Sequence, residues 1–264
     1  MPHTENGGTR LFWAQSGAGP AVLLIHGLGY THEMWYRTVP ALSPRYRVIR
    51  FDNRGVGRSD VPPGAYRISD MAEDAAAVLD AAGVEAAHVV GASLGGAIAQ
   101  ELALRHPSRV RGLVLACTLC GGPRMVQPEP EVSATLLTRG KMPAEQGIRV
   151  MNPYVYDPAT PHERIEEDLA IRLRTYPSTQ GYLGQLQAML SWSSYDRLPE
   201  ITAPTLVIHG ESDRLVPAEN GRIIAERIPG ARLTLIPQAS HIMVTDQPEA
   251  THDAMLGFLD GHWV

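Results

Sequence analysis

Gly91-Ala92-Ser93-Leu94-Gly95 decides how the rest of this chain is read. The apolar run Ala87-His88-Val89-Val90 precedes it and reads as a buried strand; Gly96-Ala97-Ile98-Ala99-Gln100-Glu101-Leu102 follows and reads as a helix. This is G-x-S-x-G at a strand-to-helix turn, the setting in which a serine sits on a strained backbone with its hydroxyl exposed as a nucleophile. Bulky side chains two residues away would collide on so sharp a turn, hence glycine at 91 and 95. Gly96 and Ala97 then let the helix pack close to its neighbours.

Outward from the turn, Ala21-Val22-Leu23-Leu24-Ile25 is a continuous apolar run, the mark of a strand covered on both faces. Residues 10–14, 46–51, 112–116, 205–208 and 232–236 also read as strands. Met71, Ala75, Val78, Leu79 and Ala82 recur at helical spacing and predict a helix over 68–83, with Asp70 and Asp74 early and Gly83 at its end. Further helices are expected near 218–228 and 248–260, and His106-Pro107 stops the one after Ser93. Alternating strands and helices predict an α/β fold, a mostly parallel sheet with helices on both faces. The alternation breaks between about 121 and 198. There a Pro-rich link (Pro123, Pro128, Pro130) leads into helical segments, clearest over 178–193, where Tyr182, Leu183, Leu186, Met189 and Leu190 share one stripe. The chain therefore reads as an α/β core, 1–120 and 199–264, interrupted by a helical cap, 121–198.

A length of 264 residues suffices for one large domain with such an insertion. The net charge of −5, with no basic stripe, argues against nucleic acid as a partner. No run approaches the ~20 apolar residues of a membrane span. Residues 1–8 lack the basic-then-apolar order of a signal peptide, so the expected location is the cytoplasm. Nothing in the pattern fixes the oligomeric state. Cys117 and Cys120 form a C-x-x-C, yet it precedes Gly121-Gly122-Pro123 instead of opening a helix. Without a second pair they make a poor zinc site, so no metal is expected and both read as small packing side chains.

A serine hydroxyl needs a base to take its proton and a third group to orient that base. After this kind of turn the partners follow in the order acid, then histidine. The acid candidate is Asp213, in the loop after 205–208, with Glu211 as its rival. The base candidate is His241, in the loop after 232–236. Loops at the carboxyl ends of parallel strands share one sheet edge, so residues far apart in sequence can meet there. The oxyanion of a tetrahedral intermediate needs two N–H donors. They are assigned to Leu94, just after the serine, and to Leu28 in His26-Gly27-Leu28-Gly29. Leu28, Trp35, Leu94 and Ile242 are expected to line the pocket, with His26 structural or pocket-lining and Asp246 structural. Met125, Met142, Met151, Met189, Tyr154, Tyr182 and Trp192 offer soft apolar surface in the cap, for its own core or for a substrate.

Together these segments resemble the α/β-hydrolases along nearly the whole chain. The resemblance rests on His26-Gly27-Leu28-Gly29, on Asp52-Asn53-Arg54-Gly55-Val56-Gly57-Arg58-Ser59, on Gly91 to Gly96, on the Asp213 loop, and on Ser240-His241 with Pro248. Within that family the N-terminal half is most similar to the 3-oxoadipate enol-lactonase-like branch, through Met34-Trp35, the Asp52–Arg54 turn and Val61-Pro62-Pro63-Gly64. The resemblance implies a cofactor-free hydrolase acting on a small-molecule ester or lactone through an acyl-enzyme. Ser93 is incompatible with relatives that use an aspartate nucleophile. Ile242 stands where C–C hydrolases of the family carry tryptophan and hydroxynitrile lyases lysine. No arginine pair for a dianionic lactone can be assigned, which ranks a carboxylesterase for short to medium apolar acyl groups above a lactonase. A perhydrolase using the same acyl-enzyme and a non-catalytic ligand receptor are the other readings. His241 must be neutral to act, so activity should rise with pH through about 6–7.

Overall fold

The computed structural model describes residues 2–261; residue 1 and residues 262–264, at the ends of the two expected core segments, lie outside the described residues. The strands are β1 (His3–Asn6), β2 (Thr9–Ser16), β3 (Ala21–Ile25), β4 (Arg47–Phe51), β5 (Ala87–Ala92), β6 (Val110–Ala116), β7 (Thr205–Gly210) and β8 (Arg232–Ile236). They form one sheet in the order β1-β2-β4-β3-β5-β6-β7-β8. Neighbours from β4 across to β8 pair in parallel, while β2 is antiparallel to both β1 and β4. The expected α/β architecture is therefore present, with an antiparallel edge.

Helices α1 (Thr38–Leu42), α2 (Ile68–Ala81) and α3 (Leu94–Arg105) precede β6. The helices α4 (Pro130–Thr138), α5 (Ala144–Arg149), α6 (Asn152–Val155), α7 (His162–Arg174) and α8 (Thr179–Leu190) lie between β6 and β7. The last are α9 (Glu219–Arg227), α10 (Met243–Asp246) and α11 (Pro248–Leu259). Strand side chains alternate between two apolar layers. Leu23, Ile25, Val89, Leu113 and Val207 pack with α2, α3 and α9; Val22, Leu24, Val90, Val114 and Ile208 pack with α1 and α11. Burial on both faces explains why these strands read as continuous apolar runs.

The hairpin of β1 and β2 escapes the periodicity argument. His3, Thr4, Glu5 and Asn6 show no apolar alternation, and backbone pairing rather than burial makes them a strand. The signal was in the turn. Gly7 and Gly8 both have positive φ, +55° and +77°, the geometry that a two-residue hairpin loop requires. Asn6 is tied down by its amide, which donates to Asp74 at 2.8 Å. Asp74 is fully buried, not merely an early acid of α2, and receives two hydrogen bonds from Arg54 at 2.6 and 2.7 Å.

The helical stretch starts and ends at one place. Gly121 bridges Ser193, and the Ser194 N–H donates to the Cys120 carbonyl at 2.8 Å. The α8 helix is shorter than the 178–193 expected for it, and Leu183 and Leu190 of its stripe are exposed. It docks on the core instead through small residues: a Cβ on Gly181 would overlap the Gly55 carbonyl, and one on Gly184 would lie 2.8 Å from the Tyr66 ring.

Glycine also sets the approach of α3. A Cβ on Gly91 would strike the Gly95 carbonyl, one on Gly95 the Ile25 carbonyl, and one on Gly96 the Thr118 side chain. Gly95→Ala should therefore lower stability by at least the ~1–3 kcal/mol of core overpacking, because backbone cannot swing aside as a side chain can. Urea unfolding checks this, and an unchanged midpoint with an unchanged slope would contradict it.

Candidate active site

Six loops leave the carboxyl ends of the parallel strands on one edge, and five of them form the site: after β3 (His26 onward), β5 (Ser93), β6 (Cys117), β7 (Asp213) and β8 (His241). Ser93 has φ +55° and ψ −120°, a conformation that L-residues rarely adopt. Its neighbours fix it there. The Ser93 N–H donates to the Ala116 carbonyl at 2.9 Å, and its own carbonyl accepts from Gly96 N–H at 2.9 Å and from the Thr118 hydroxyl at 2.6 Å.

Asp213 is buried, and each carboxylate oxygen is engaged. Oδ1 accepts the N–H groups of Leu215 and Val216 at 2.9 and 2.8 Å; Oδ2 lies 2.8 Å from His241 Nδ1 and 3.3 Å from His209 Nε2. Burial pushes its pKa up, but the His241 charge and the hydrogen bonds from His209 and His241 outweigh it and hold the group at about 2. Asp213 is thus an ionised acceptor, which places the proton of His241 on Nδ1 and leaves Nε2 with a free lone pair. Glu211, the rival acid, is exposed. His209 was invisible to the sequence reading. It lies in the fully buried β7, where its Nε2 sits 2.8 Å from the Val216 carbonyl.

Asp246 holds the His241 loop: Oδ2 accepts the Ser240 N–H and Oδ1 the Thr160 hydroxyl, each at 2.6 Å. Burial lifts its pKa to about 6, partly offset by those two bonds and reinforced by the Asp157 charge.

The amides of the β3 loop are mostly occupied. Gly27 N–H donates to His26 Nδ1 at 2.7 Å, Gly29 N–H to Gln185 Oε1 at 2.9 Å, and Tyr30 N–H to the Gly27 carbonyl at 3.2 Å. Among the described residues the Leu28 N–H, like the Leu94 N–H at the start of α3, donates to nothing. His26 stacks against Tyr30 and Trp35, with ring centroids 4.9 and 4.6 Å apart. Burial, His241 and Arg172 push its pKa down to about 3, so it stays neutral.

Two cavities meet at Ser93 and His241. The inner one, ≈ 40 Å³, is lined by His26, Trp35, Cys117 and Ile242 among others. The outer one, ≈ 260 Å³, reaches between the β3 loop and the helical stretch and is lined by Leu28, Met125, Leu136, Arg139 and Met189 among others. Leu28, Trp35 and Ile242 line these cavities. The Leu94 side chain does not: it is fully buried in the α2–α3 layer and contributes only backbone. Of the soft residues of the helical stretch Met125 and Met189 face the outer cavity, whereas Met151 packs with Val155 and Tyr156. Both cysteines are buried free thiols, and burial together with the Asp213 charge pushes Cys117 well up. Among the described residues the Ser93 hydroxyl makes no hydrogen bond to His241. No three His, Cys, Asp or Glu side chains of the described residues converge as metal ligands.

The family model of the alpha/beta hydrolase fold matches residues 20–248. The chain belongs to the α/β-hydrolase family. Over 261 residues it is 34% identical to a protein named putative carbamate hydrolase RutD from Azorhizobium caulinodans, covering 98% of each chain. Over 241 residues it is 33% identical to a poly(3-hydroxyalkanoate) depolymerase from Ectopseudomonas oleovorans, covering 90% of this chain and 83% of that one. Among solved structures, the enol-lactonase from Burkholderia xenovorans superposes with a TM-score of 0.87 at 28% identity, covering 98% of this chain and all of that one. The sheet order and the strand-to-helix serine turn are those of an α/β-hydrolase, and this chain is a hydrolase of that family. No helix among its described residues is long and apolar enough to cross a membrane.

Gln185 links α8 to this α/β-hydrolase site. It is fully buried; Oε1 holds the Gly29 N–H, and Nε2 donates to the Arg54 carbonyl at 2.8 Å. Gln185→Leu would free the loop that carries Leu28. It should lower kcat by about ten- to a hundredfold, since small misplacements of reacting groups carry penalties of that size. The loss should fall on kcat more than on KM, and steady-state kinetics on one ester would show it; an unchanged kcat would contradict the link.

Proposed function

We propose that the chain hydrolyses carboxylic esters through an acyl-enzyme, with Ser93 as nucleophile, His241 as general base and Asp213 orienting the imidazole. The observation that carries this is the Asp213–His241 contact at 2.8 Å, opening onto the cavity that Ser93 also lines. His241 Nε2 takes the Ser93 proton as Oγ attacks the ester carbonyl. The charge on the carbonyl oxygen is received by the unengaged N–H groups of Leu28 and Leu94. The intermediate collapses, the alcohol leaves with the proton from Nε2, and an ester bond to Ser93 remains. Water, losing a proton to the same nitrogen, then releases the acid and frees Ser93. The helices of 121–198 act as a cap over the outer cavity, and the mainly apolar walls suit short to medium hydrocarbon chains.

A lactone differs only in that its alcohol stays tethered, and a carbamate only in the nitrogen beside the carbonyl. The whole-length likeness to the enol-lactonase keeps lactones as the second reading. Comparing kcat/KM on open esters, lactones and carbamates ranks them.

The test is hydrolysis of p-nitrophenyl esters from acetate to palmitate by wild type and Ser93→Ala. The expected loss of kcat is on the order of 10⁴–10⁶. Absence of turnover in the wild type would overturn the esterase reading. The pH profile adds a second check. Asp213 protonates near pH 2 and His26 near pH 3, so neither titrates at higher pH. A general base must be neutral to act, so kcat/KM should carry an acid limb, to which Asp246, lifted by burial to about 6, can add. That limb should persist in Asp246→Asn, and a flat profile there would contradict His241 as base.

A further inference from the structure

Arg139 follows α4, and only 5% of its surface is exposed. A guanidinium keeps its proton at any working pH and has five N–H groups to satisfy. Among the described residues no carboxylate pairs with it, and its Nε is buried without a partner. Its surface counterparts are paired: Arg149 with Glu145 and Glu166, Arg174 with Glu33. Arg172, the other buried arginine of this stretch, stands over the Tyr30 ring at 5.0 Å, lies beside Tyr156 with Asp168 one turn away, and lines neither cavity.

Arg139 does line the outer cavity, together with Ser93 and His241. One face of its guanidinium lies over the Tyr182 ring, 5.1 Å from the centroid, which leaves its edge for hydrogen bonding. Its Nη2 lies close to the loop that holds Leu28: a Cβ built on Gly29 would be 3.8 Å away. Leu28, Met125, Leu136, Met189 and Leu215 make much of the remaining wall apolar. A cation held in such a wall is unfavourable unless something pairs with it. The group that matches a planar guanidinium fork is a carboxylate, which takes two parallel N–H bonds.

We infer that Arg139 is an anion-binding subsite, so that the substrate limb in the outer cavity ends in a carboxylate while the scissile carbonyl stands at Ser93. This rests on the ester-hydrolase reading above and narrows it from apolar esters to esters that carry a negative charge on one limb.

Two pairs of esters test it, each matched in shape and differing in one terminal group. With the charge on the acyl limb, p-nitrophenyl hemiglutarate is compared with p-nitrophenyl 5-methylhexanoate. With the charge on the alcohol limb, 4-butanoyloxybutanoate is compared with 4-methylpentyl butanoate. In at least one pair Arg139→Met should lower kcat/KM for the charged ester about ten- to a hundredfold and the neutral one by less than about twofold, as expected for a charged hydrogen bond. Arg139→Lys should recover part of the loss. Equal losses within both pairs, or none, would overturn the subsite while leaving the esterase standing. Calorimetry on Ser93→Ala reads the subsite without turnover: monomethyl glutarate should bind more tightly than dimethyl glutarate, and the preference should vanish when Arg139→Met is added. That preference without turnover of any ester would uphold the subsite and sink the esterase reading; no preference would sink the subsite.

Discussion

The left-handed backbone of Ser93 is the constraint from which the site is built. A serine at φ +55° persists only where its surroundings over-determine it. Here β6 supplies the Ala116 carbonyl and the loop after it the Thr118 hydroxyl, while the absence of Cβ atoms at 91, 95 and 96 lets α3 press against β3. The same arrangement leaves the Leu94 N–H at the start of α3 without a partner beside the serine, and the β3 loop, with the unengaged Leu28 N–H, lies alongside. Strain in the turn and available donors at the site are therefore two consequences of one packing arrangement.

The second constraint is electrostatic. Burying Asp213 would favour its neutral form, and a neutral acid could not fix the tautomer of His241. Four contacts, two backbone and two imidazole, hold it ionised, and ionisation in turn orients the His241 imidazole. His209 therefore matters without facing either cavity. Both its near neighbours are acceptors, the Val216 carbonyl and Asp213, so its Nε2 must carry a proton and donate. Gln185 and Arg139 show the helical stretch reaching the site in two ways: one holds the loop that carries Leu28, the other contributes charge to the cavity.

The sheet and the Ser93, Asp213 and His241 positions were legible because each follows an apolar run long enough to read as a buried strand, and parallel topology then gathers the loops at one edge. What stayed hidden depends on contacts that leave no local period. β1 is polar and was marked only by Gly7-Gly8. The α8 helix advertises a leucine stripe but docks through Gly181, Gly184 and Gln185, whose value lies in what they approach. Leu94 looked like a pocket residue by adjacency, yet a residue at the first position of α3 turns its side chain into the core. Arg139 could not be told from the other arginines, because burial and the lack of a counter-charge are properties of the fold alone.

The central claim is that a covalent bond forms at Ser93. The most direct measurement is peptide mapping by mass spectrometry after treatment with a fluorophosphonate, alongside ester hydrolysis by the same sample. The account predicts one adduct per chain, on Ser93, with activity lost in proportion to labelling and no adduct in Ser93→Ala. Activity that survives full labelling of Ser93, or inactivation by an adduct elsewhere, would contradict it.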